Sequence, residues 1–131
     1  MIKNASIVED IYGYWPTFHD AEIISINFQR SSTIDSKSAS VEIVLNYWET
    51  KAINEGTSNL DYVLEKNNLI SLRLDGLMDS SVTGFNFQNV IEELQIVEGQ
   101  NGIKVDAISI HGADMSFTCT AISVTSMQPY T

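Results

Sequence analysis

The chain has 131 residues, 44% of them hydrophobic and 18% charged, enough for a core without disulfide staples and for one domain spanning residues 1–131. Its lone cysteine, Cys119, excludes a disulfide within the chain and a cysteine-only zinc site, and no apolar run nears the roughly 18 residues that span a bilayer. Seventeen acids against seven scattered bases give a formal charge of −10, without the clustered Lys and Arg that nucleic acids and anionic membranes demand.

In chain order, the first element is a short helix. Ser6-Ile7-Val8-Glu9 fits a capping box, Ile7, Val8, Ile11 and Tyr12 fall on one helical face, and Gly13 followed by Pro16 ends it. No apolar stretch with a small-residue cleavage site follows Met1, so a secretory signal is not expected. Beyond Pro16 the period changes to two. Ile24, Ile26 and Phe28 alternate with Ser25, Asn27 and Gln29, the pattern of a half-buried strand. Ser31 to Ser40 reads as a polar loop. Val41, Ile43, Leu45 and Tyr47 form the next apolar face, which places Trp48 on the opposite face with Glu42, Val44 and Asn46.

Tyr62–Leu64 is expected to reverse through Lys66-Asn67-Asn68 into Leu69–Leu74, although Leu60, Val63 and Leu64 also fit a helical face. Asn101-Gly102 is a hairpin signal joining Leu94–Val97 to Ile103–Ile110, and His111-Gly112-Ala113-Asp114 turns that strand into Met115–Val124. The sum is a mainly β (α+β) protein: an antiparallel sheet of about seven or eight strands with one or two short helices.

The densest polar group is Phe18-His19-Asp20-Ala21-Glu22. His, Asp and Glu so close invite a metal or acid/base reading. If the strand already runs at residue 20, Asp20 and Glu22 share a face and His19 points away, so a metal site needs His111 or Asp114 as well. The structural alternative is that Asp20 caps a turn and His19 bonds to backbone. Nucleophilic catalysis finds no G-x-S-x-G elbow, and Cys119 sits on the apolar face of its strand with Phe117 and Met115. Isolated turn glycines make no phosphate loop. No enzyme activity is expected. Tyr12, Tyr14, Trp15, Phe18, Tyr47 and Trp48 either close one end of the core or present a recognition surface.

The run Gly13-Tyr14-Trp15-Pro16-Thr17-Phe18-His19-Asp20-Ala21-Glu22, leading into Ile23–Phe28, resembles the immunity protein 50 family of bacterial polymorphic toxin systems. Leu69–Gly76 is similar to that family's central strand, with Leu74-Asp75 where an aromatic is the pattern, and Gly84–Ile91 followed by Leu94 is similar to its later asparagine-bearing segment. The resemblance implies a small cytoplasmic, mainly β protein that binds a cognate toxin domain without catalysis or cofactor. An acidic chain suits a basic toxin such as a nuclease. The candidate partner contacts are Trp15, His19, Asp20, Glu22, Trp48 and Glu49, in an acidic surface around an aromatic centre. The competing reading is a small β module that holds a metal or small ligand through His19, Asp20, Glu22 and possibly His111.

Overall fold

The computed structural model describes residues 1–31 and 37–130, so the middle of the expected Ser31–Ser40 loop lies outside the described residues. The elements in chain order are β1 (Ile2–Lys3), α1 (Ser6–Tyr12), β2 (Glu22–Arg30), β3 (Ala39–Ile53), β4 (Asp61–Asp75), β5 (Asp79–Thr83), β6 (Val90–Gly99), β7 (Gly102–His111), β8 (Asp114–Cys119) and β9 (Ala121–Pro129). Among the described residues these nine strands form one sheet in the order β1-β9-β4-β3-β2-β6-β7-β8-β5. The chain is mainly β, as its alternating apolar pattern requires. The count exceeds the expected seven or eight, and the sheet is mixed, because β1 runs parallel to β9.

The sheet has two halves that share a core. β2 and β6 are paired at only one position, Glu22 with Val90. Elsewhere the chain crosses between the halves at sharp breaks. Thr120 alone separates β8 from β9, and its amide and hydroxyl both donate to the Asp75 carbonyl at the end of β4, at 2.9 and 3.1 Å. Val41, Ile43, Leu45, Ile70, Leu72 and Leu74 from one half and Ile91, Val105, Met115, Phe117 and Cys119 from the other are buried in a single cluster. Phe28 of β2 meets Phe117 of β8 with ring centroids 6.1 Å apart. No described helix is long and apolar enough to cross a membrane.

Departures from strict alternation have identifiable causes. A bulge at Ile24 shifts β2 against β3, so Ile23 faces Leu45 while Ile26 and Phe28 face Ile43 and Val41. Ile23 is therefore buried and Ile24 exposed, the reverse of the expected pattern. Thr120 resets the phase in the same way: Met115, Phe117 and Cys119 point inward, then Ile122 and Val124 rather than Ala121. Residues 66–68 do not reverse the chain. Lys66 has φ 51°, but β4 continues through it as a bulge, in which Lys66 and Asn67 stand opposite Trp48 and the pairing with β3 resumes on either side. Helix α1 buries only Val8 and Tyr12. Ala5 occupies its N-cap without a side-chain hydrogen bond, so the capping box does not form. Gly13 ends it as expected, at φ 85°, with its amide donating to Glu9 O.

Candidate partner-binding site

The turn between α1 and β2 is built around one buried ring. Phe18 is fully buried although its backbone is left-handed, with φ 61°. That conformation costs a bulky residue on the order of 1–3 kcal/mol. The ring offsets the cost by packing edge-on to Trp15 at 5.5 Å and to Tyr47 at 5.1 Å, and Tyr47 in turn meets Tyr12 at 5.1 Å. This row closes one end of the core, and Trp15 is half-buried within it. Tyr12 Oη donates its one proton to the Lys66 carbonyl at 2.6 Å, with the Tyr47 carbonyl also within reach at 3.2 Å, and accepts from Asn68 Nδ2 at 3.0 Å. Burial raises the pKa of Tyr12 above the usual phenol value, partly offset by the Asn68 bond, and burial raises that of Tyr47 as well. Both phenols stay neutral donors at physiological pH.

Asp20 is left-handed too, at φ 67°. Its amide donates to Ile91 O at 2.9 Å, and Leu94 N donates to Thr17 O at 2.8 Å, so the turn is fastened to β6. The two left-handed residues on either side push His19 outward. His19 Nδ1 lies 3.1 Å from Asp20 Oδ2, with both side chains about three-fifths exposed (60% and 61%). The strand begins only at Glu22, so the alternation that would have turned His19 away from Asp20 does not apply. Glu22 sits half-buried between Asn46 of β3 and Val90 of β6. His111 pairs with Val90 on that residue's other side. Among the described residues no group of three or more His, Cys, Asp or Glu gathers as a metal cage would.

Trp48 and Glu49 follow Tyr47 of the ring row along β3. Trp48 is half-buried and stands opposite a bulge in β4, where Lys66 and Asn67 take the place of one partner between the Tyr47–Asn68 and Glu49–Glu65 pairs; the alternation of β3 keeps it on the face of Glu42, Val44 and Asn46. Glu49 accepts from Tyr14 Oη at 3.0 Å and lies 3.3 Å from Lys66 Nζ. Of the six predicted residues, His19 and Asp20 touch one another; Glu22 begins β2, Trp15 packs on Phe18, and Trp48 and Glu49 follow Tyr47 along β3.

The sequence reading missed a neighbouring loop. Asn89 is only 2% exposed. Its Oδ1 accepts from the amides of Asn86 (2.9 Å) and Ala113 (3.2 Å), and its Nδ2 donates to Asn86 O (2.7 Å). Gly112, at φ 86°, packs against the Gln88 carbonyl and the Asn89 side chain, where a Cβ has no room. The loop so fixed displays Phe87 at 92% exposure beside the start of β2, where Ile23 N donates to Asn89 O at 2.8 Å. The available signal was Asn86-Phe87-Gln88-Asn89, a spacing suited to side-chain capping of a turn. This end of the molecule carries the aromatic row, the exposed His19 and Asp20 and the exposed Phe87.

The family model described as Immunity protein 50 matches residues 4–130. No curated protein and no solved structure matches the chain.

Proposed function

The chain belongs to the immunity protein 50 family, and from that membership we propose that it binds and neutralises a toxin protein, without catalysis and without a cofactor. The match across residues 4–130 carries the reading. The finer proposal is that the partner is a cationic toxin domain, such as a nuclease, met in the bacterial cytoplasm. The excess of ten acids supports it, because an anionic surface speeds encounter with a cationic one and suppresses like-charged partners. Trp15, His19, Asp20, Glu22, Trp48 and Glu49 are the proposed contacts. His19 and Asp20 are solvent-facing on a turn held by buried Phe18, so they are presented with little ordering left to lose on binding.

Co-expression in a bacterial host with the toxin domain encoded in the adjacent reading frame tests the function. Cells carrying both should survive induction, and cells carrying the toxin domain alone should not. Equal killing with and without this chain, at matched toxin levels, counts against neutralisation.

A further inference from the structure

β3 and β4 are each fifteen residues long, and their neighbours are shorter. β2 begins at Glu22, opposite Asn46, and β9 ends at Pro129, opposite Asn68. Residues 49–53 and 61–65 therefore continue as a two-stranded ribbon, with neither outer edge paired among the described residues. An isolated ribbon is marginal in water. Here the tip is tied internally: Asn54 Nδ2 donates to Asn59 O at 3.2 Å, and Thr57 Oγ1 donates to Asn54 O at 2.7 Å.

The pairing sorts the side chains into two faces. Thr50 opposes Leu64 and Ala52 opposes Tyr62 on one face, and Glu49 opposes Glu65 and Lys51 opposes Val63 on the other. Tyr62 is 64% and Leu64 59% exposed, large apolar groups left in water at the end of a projecting arm. On the second face Glu49 and Glu65 stand directly opposite, an arrangement that costs energy unless a cation covers it; Lys66 reaches Glu49 only. Residues 48–66 carry four acids and two bases.

We propose that this arm is a docking element for the toxin, its Tyr62–Leu64 face entering an apolar depression on a cationic protein and its Glu49–Glu65 face meeting basic side chains of the rim. The inference rests on the toxin-binding reading above and extends the surface from Trp48 and Glu49, at the arm's base, to its tip. Two features favour a cationic protein over a second copy of this chain. A copy brings ten further negative charges, and it sets acid against acid at Glu49 and Glu65.

The test uses the full-length protein and the toxin domain of the adjacent reading frame, silenced by substitution in its own active site. The Tyr62→Ser, Leu64→Ser double variant removes two exposed groups, so it should melt with the wild type and bind the toxin domain at least about tenfold more weakly. Amide exchange at residues 61–65 of the wild type should slow in the complex, a readout that needs no variant to fold. Wild-type affinity in the double variant, or unchanged exchange in the arm, overturns the arm while leaving neutralisation standing. A wild-type protein that fails to bind takes both readings down. A wild-type dimer that the double variant converts to monomer assigns the face to a second copy and overturns the proposal.

Discussion

Replacing Asn89 with Ala should destabilise the protein by about 3 kcal/mol, with a drop in Tm on the order of 10 °C. Asn89 is buried, and its oxygen is the acceptor for two backbone amides, those of Asn86 and Ala113, in different segments. Truncation leaves both donors without that partner and frees the Asn86 carbonyl as well. Each buried group so orphaned costs about 1–3 kcal/mol, whereas the lost side-chain area alone is worth far less. The loop that carries Phe87 should loosen along with this loss, so proteolysis there should speed up more than cleavage elsewhere. Urea unfolding checks the magnitude. A loss below about 1 kcal/mol would mean that other groups satisfy these amides and that Asn89 is not the keystone of the loop.

Phe18→Ala should cost about 4 kcal/mol, the usual scale for emptying a fully buried phenylalanine site, because the buried ring packs against Trp15 and Tyr47. The backbone supplies a sharper test. At φ 61° alanine is as strained as phenylalanine, whereas glycine is not. Phe18→Gly should therefore be at least as stable as Phe18→Ala, contrary to the roughly 1 kcal/mol by which glycine is worse at ordinary positions. A glycine variant clearly weaker than the alanine variant, by equilibrium unfolding, would contradict the left-handed turn that holds His19 and Asp20 outward.

These two residues also mark where sequence reading stops. Gly13, Asn101-Gly102 and His111-Gly112 announce their turns because glycine and asparagine tolerate positive φ, and the structure bends at each. The strands are equally legible, since an alternating apolar face can be buried in only one way. Phe18 and Asp20 reach the same left-handed region without glycine, held there by tertiary packing that no local pattern carries. The extra residues at Ile24 in β2 and at Lys66-Asn67 in β4 invert the alternation of those strands for the same reason: a bulge is a property of two paired strands. Lys66-Asn67-Asn68 has turn chemistry and a positive φ, yet pairing to β3 on both sides confines it to a bulge, and that converts an expected hairpin into the projecting arm. Of the candidate site, the residue types and the aromatic row were readable. The contact between His19 and Asp20, the Glu49–Tyr14–Lys66 group and the Asn89 loop depend on which segments meet.

On the proposed reading, an anionic surface built on this turn draws in a cationic toxin. The most direct test is the association rate with the silenced toxin domain as a function of salt, for the wild type and for the Asp20→Asn, Glu22→Gln variant. Exposed charges are screened beyond about 10 Å at 0.1 M salt, so the wild-type rate should fall steeply across that range, and the variant should start slower and fall less. Convergence of the two at high salt is the expected result; rates indifferent to both salt and substitution would contradict it.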